Sequence, residues 1–220
     1  MPAIIFDFDG VLIDSEPVHE AAIRAAVREL GMDFSPEDYR TRYLGLDDRD
    51  IYAGVAAANA RALSPEDLHV LSERKWVHAR RAFENGDATP YPAAVALLNA
   101  CADACPIALC SGAKRQEIDL VLGILGIGGL LRVIVSADEV AKSKPDPASY
   151  RLATARLALA PSACVAIEDT DKGIRSALGA GLRAVGVCHS MTSSELAAAD
   201  LVVPSAADLS VPELLAMVDR

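Results

Sequence analysis

Short runs of apolar residues recur along the chain at 3–8, 107–110, 132–136, 164–167 and 184–187, with a weaker run at 201–203. Each reads as a strand apolar on both faces rather than alternating, which predicts strands buried on both sides. Between them lie stretches of helical pattern at 114–125, 146–158 and 172–180. Another runs from Pro92 to about Ala102, with the proline near its start, where a missing N–H costs nothing. Buried strands alternating with helices predict an α/β fold with a parallel sheet covered on both faces.

The alternation has one long interruption. From Pro17 to about Asn85 no strand is predicted, only helix. Ser35-Pro36-Glu37-Asp38 and Ser64-Pro65-Glu66-Asp67 both read as helix starts, with Ser as N-cap, Pro at the first position and acids in the first turn. The expected organisation is a core formed by 1–15 and 86–220, with a helical insertion at 16–85. An insertion after the first strand belongs over the carboxyl edge of the sheet, where open α/β folds bind ligands. It is placed like a lid.

Composition narrows the class. The chain has 220 residues and a net charge of −10, which argues against a nucleic-acid partner, whose binder needs a basic footprint. The longest stretch without a formal charge, 88–102, contains two prolines, so no segment reads as membrane-spanning. The N-terminus has no basic region and no cleavage site, so a signal peptide is not expected. Five cysteines at spacings unsuited to a zinc site read as reduced, mostly buried thiols. These features predict a cytoplasmic globule, monomeric or a weak homodimer.

The chemistry concentrates at the end of the first strand. Asp7 and Asp9 lie two residues apart, so they project the same way, and Gly10 then lets the backbone turn. The pair reads either as turn-forming acids or as a nucleophile beside an acid/base group with a divalent metal. Ser111 reads as a helix N-cap or as a phosphate ligand, and Glu168-Asp169 as acids at a helix N-terminus or as metal ligands.

The segment FDFDGVLIDSEPVH, residues 6–19, resembles the first motif of the haloacid dehalogenase superfamily in members with a small helical cap. Three further segments follow in the order of that family. Ser111 resembles its second motif, Lys144 in KSKPDP its third, and Glu168-Asp169 in IEDTDKGI its fourth. The resemblance implies a Rossmann-like core with an inserted cap. It also implies phosphoryl transfer, with Asp7 as nucleophile, Asp9 as acid/base and Lys144 stabilising charge. Mg²⁺ would be held by Asp7, the main chain of Asp9, Asp169 and Glu168, the last directly or through a neighbour.

The implied substrate is a small phosphorylated metabolite, bound by Ser111, Gly112 and Lys114 in the core. His19, Arg49 and Lys75 would contribute from the cap. Hydrolysis of a phosphoglycolate or sugar-phosphate type of monoester leads. A mutase of the β-phosphoglucomutase kind is the alternative. Two departures favour the phosphatase: Lys114 lacks the polar surround usual in mutases, and Arg49 stands one residue farther from Gly45. Dehalogenation is disfavoured by the presence of Asp9.

Overall fold

The computed structural model describes residues 1–44 and 46–218; Gly45, against which the spacing of Arg49 was counted, lies outside them. The described chain falls into two compact units, 1–14 with 90–218, and 15–44 with 46–89.

The first unit is built on six parallel strands: β1 (Ala3–Phe6), β2 (Ile107–Cys110), β3 (Val133–Val135), β4 (Cys164–Glu168), β5 (Arg183–Val187) and β6 (Leu201–Val203). Their order is β3-β2-β1-β4-β5-β6, with β1 pairing Ile5 to Ala108 on one side and to Ala166 on the other. Every residue of β1, β2 and β4 is buried, as strands apolar on both faces require. Ile5, Ala108 and Ala166 pack with Tyr150, Ala153, Ile174 and Ala177 from helices Ala148–Leu157 and Asp171–Ala180. The alternate residues Ile4, Phe6, Leu109 and Ile167 are equally buried on the opposite side.

This order places a topological switch at β1 and β4: from β1 the chain goes outward first to one side and later to the other. The carboxyl ends of the strands on either side of such a switch form a crevice. β1, β2 and β4 deliver Asp7, Ser111 and Glu168-Asp169 to it. Ladder bonds continue past the strand ends, from Asp7 N–H to the Ile167 carbonyl (2.9 Å) and from Ser111 N–H to the Val135 carbonyl (3.0 Å), so these residues leave the sheet already fixed.

The second unit is helical. Helices Glu16–Glu29, Asp48–Ala58 and Pro65–Asn85 enclose a core containing Ile23, Val27, Phe34, Tyr39, Tyr43, Ile51, Tyr52 and Leu71. The Ser64 hydroxyl accepts from the Asp67 N–H while the Asp67 carboxylate accepts from the Ser64 N–H, a capping box that starts the 21-residue helix Pro65–Asn85. The matching signal at Ser35 also forms a capping box, but the helix it starts runs only over Pro36–Asp38 before the chain widens into a π-turn at Tyr39–Tyr43. The five cysteines are free thiols, and all but Cys188 are buried.

Candidate active site

The centre of the site is Lys144. Its Nζ donates to Asp7 Oδ1 at 2.7 Å, to Glu168 Oε1 at 2.6 Å and to the Cys110 carbonyl at 3.1 Å. One ammonium thus ties together the ends of β1, β2 and β4. Tyr150 adds a hydroxyl, donating to the same Glu168 Oε1 at 2.6 Å from a fully buried position. Asp169 follows Glu168 directly, and its Oδ2 accepts from the Ser190 hydroxyl.

Two glycines make this close approach possible. Gly10 has φ +74°, and a Cβ there would lie 1.9 Å from Asp169 Oδ2. A Cβ on Gly173, in the first turn of helix Asp171–Ala180, would lie 1.9 to 2.3 Å from the Glu168 carboxylate. Both would be collisions, so the acidic groups occupy space that only glycine leaves open.

The electrostatics follow from burial. Asp7, Glu168 and Asp169 each place a carboxylate oxygen within 4.8 Å of the others, and all three residues are buried. Burial first, and then the Glu168 carboxylate, push the Asp7 carboxyl up to about 7 against the opposing pull of Lys144. Burial, followed by Asp7 and Glu168, holds Asp169 well above the usual carboxylate range. Burial alone would lower Lys144, but Asp7 and Glu168 outweigh it and hold its ammonium above the ordinary value.

When all three are ionised, these buried carboxylates facing one ammonium carry an excess of negative charge, which is why burial holds Asp7 and Asp169 toward their protonated forms. Each carboxylate of the fourth segment also uses only one of its oxygens. Glu168 Oε2 and Asp169 Oδ1 are buried and without a hydrogen-bond partner. Hard oxygen donors, uncompensated charge and unpartnered buried oxygens are together what a divalent cation such as Mg²⁺ would satisfy. The residues present fit the metal.

The remaining expected residues divide. Ser111 is buried, its Oγ lies 3.4 Å from Asp9 Oδ2, and it accepts from the Ala113 N–H at 2.9 Å. Helix Arg115–Leu125 takes Lys114, not Ser111, as its N-cap, which corrects the reading of Ser111 as the residue that opens the helix. Gly112 is exposed on the intervening turn, and Lys114 is half-buried. In the helical unit, the Lys75 ammonium is held by both oxygens of Asp48 at 3.0 Å, and only 10% of its side chain is exposed. His19 is buried with its ring edge-on to Phe83, centroids 6.2 Å apart, whereas Arg49 is exposed.

Sequence reasoning did not find Tyr150, Ser190 or His189. His189 donates from Nδ1 to the Gly10 carbonyl at 2.7 Å, with its ring stacked on Tyr91. Tyr150 offered a weak signal, a hydroxyl among apolar positions of a core helix. Cys188-His189-Ser190 offered none, because only the pairing of β4 with β5 brings it beside Asp169.

A crevice at the switch point of a parallel sheet, with a Lys-bridged pair of acids and a third beside them, is where an open α/β enzyme binds its ligand. The family profile of haloacid dehalogenase-like hydrolases matches residues 1–181, and the chain belongs to that family as a phosphatase. It is 32% identical to protein CbbY of Rhodobacter capsulatus, over 97% of this chain and 99% of that one. It is 31% identical to a phosphorylated carbohydrates phosphatase of Thermotoga maritima, over 89% of each. A crystal structure of a CbbY variant from Rhodobacter sphaeroides in complex with xylulose 1,5-bisphosphate superposes with a TM-score of 0.88 at 26% identity, covering 97% of this chain and 99% of that one. Among the described residues no helix is long and apolar enough to cross a membrane.

Proposed function

We propose that this protein is a Mg²⁺-dependent phosphatase of small phosphorylated sugars that works through an aspartyl phosphate on Asp7. The observation that carries the reading is the buried cluster of Asp7, Glu168 and Asp169 around Lys144, with one oxygen of each fourth-segment acid unpartnered. The substrate class is supported by the carbohydrate phosphatase and the sugar bisphosphate complex among its relatives.

The Asp7 carboxylate attacks phosphorus while the ester P–O bond breaks. The departing alkoxide takes its proton from Asp9. Water then attacks the same phosphorus, the bond to Asp7 breaks, and Asp9 receives the proton the water gives up. Lys144 holds Asp7 in place and keeps positive charge beside the transferring group. Ser111 and the N–H groups of the turn after it would take the phosphate oxygens. The cation, held by Asp7, Asp169, the Asp9 main chain and Glu168, would neutralise phosphate charge and so let an anion approach an anion.

The helical unit, 15–89, would act as the cap. In it Lys75, His19 and Arg49 would face the sugar. The five free thiols suit a reducing cytoplasm. The test is phosphate release from a panel of sugar mono- and bisphosphates with and without Mg²⁺, using Asp7→Asn as control. Release that needs Mg²⁺ and is lost in Asp7→Asn supports the reading. Conversion of β-glucose 1-phosphate to glucose 6-phosphate without free phosphate would replace it with a mutase.

A further inference from the structure

The chain leaves β5 at Val187, and the residues just beyond it make three separate attachments to the acidic loops. His189 Nδ1 donates to the Gly10 carbonyl at 2.7 Å; since a carbonyl only accepts, this fixes the proton on Nδ1. Its ring lies on Tyr91 with centroids 4.0 Å apart and planes at 15°, so the donor cannot swing away freely. Ser190 donates its hydroxyl to Asp169 Oδ2. Met191 Sδ accepts from the Asp171 N–H at 3.4 Å.

Two of these attachments converge at Gly10. A Cβ there would meet both Asp169 Oδ2 and, at 2.8 Å, Ser190 Oγ, so the turn after Asp9, the Asp169 carboxylate and Ser190 are mutually packed. Ser190 engages Oδ2, while Oδ1 of the same carboxylate is buried without a partner. A carboxylate held by one oxygen presents the other in a fixed direction, the arrangement by which outer hydrogen bonds orient metal ligands.

We propose that residues 189–191 are a positioning element for the bound cation, in which Ser190 fixes the Asp169 carboxylate and His189 fixes the turn at Gly10. The inference rests on the metal reading above. It is tested by titrating Mg²⁺ into protein stripped with EDTA and dialysed, without substrate, by calorimetry. Ser190→Ala is expected to weaken Mg²⁺ binding about 10-fold, and Ser190→Thr, which keeps the hydroxyl, to restore most of it. His189→Phe, which keeps the stacked ring but not the donor, is expected to weaken binding as well. In steady-state phosphate release the Mg²⁺ requirement should rise while KM for the sugar phosphate stays unchanged.

Wild-type Mg²⁺ affinity in both Ser190→Ala and His189→Phe would overturn the proposal. So would a lower melting temperature in EDTA with unchanged Mg²⁺ affinity, which marks a merely structural contact. Absence of Mg²⁺ binding by the wild type would instead overturn the metal reading, and this inference with it.

Discussion

Asp7 has two requirements that pull in opposite directions. As the proposed nucleophile it would have to be ionised to attack phosphorus, yet burial and Glu168 raise its carboxyl from 3.8 to about 7. An acid raised on folding contributes stability that is fully present below its unfolded value and is lost as pH rises through its folded one. The metal-free protein is therefore expected to lose thermal stability between about pH 4 and pH 7, with Asp169 shifted in the same direction. Asp7→Asn should flatten that profile and raise the metal-free melting temperature at neutral pH while abolishing turnover; scanning calorimetry in EDTA across this range checks it. Tyr150→Phe acts the other way, because it strips a buried carboxylate of a neutral donor. Its expected cost is about 1–3 kcal/mol in denaturant unfolding. Asp7, Asp9, Ser111, Glu168 and Asp169 were legible as candidates because each sits at a strand end with a recognisable local pattern, whereas Lys144 was singled out only by the family resemblance of its segment. Tyr150, His189 and Ser190 were not, because each acts on a residue distant in sequence.

The helix Asp171–Ala180 shows local and tertiary preferences in conflict. Alanine is favoured over glycine inside a helix by about 1 kcal/mol, so propensity alone recommends Gly173→Ala. The added Cβ would lie 1.9 Å from Glu168 Oε2, so the change is expected to destabilise the protein and weaken Mg²⁺ binding instead. Unfolding in EDTA and calorimetric titration report the two effects separately. Ser64→Ala is the contrasting case, because it removes one half of a capping box far along the chain from the acidic cluster. It should cost about 1 kcal/mol and leave Mg²⁺ affinity at the wild-type value. Helix starts at Ser64 and Pro92 were readable because caps and prolines act within one turn. The helical stretch read at 114–125 begins where its pattern puts it, at N-cap Lys114, and only the reading of Ser111 as N-cap fails, because Ser111 bonds Ala113 in a turn of its own.

For the whole molecule, a cation that binds only the folded state links ligand to stability. At 100 times its dissociation constant Mg²⁺ should add about 2.7 kcal/mol, and EDTA should remove it. The gain should be larger at pH 8 than at pH 5, since protonated carboxylates do not bind a metal; melting temperatures with and without Mg²⁺ at the two values check this. The sequence by itself determined the strands, the helical insertion and most of the acids, because apolar runs, caps and short motifs are local properties of the chain. Tertiary structure decided the order β3-β2-β1-β4-β5-β6, which carries residues as distant as Asp7, Lys144 and Glu168 to one point. It also decided which oxygen of each fourth-segment carboxylate is occupied and which is left without a partner. That choice depends on donors arriving from other strands and loops, whose distance along the chain carries no local signal.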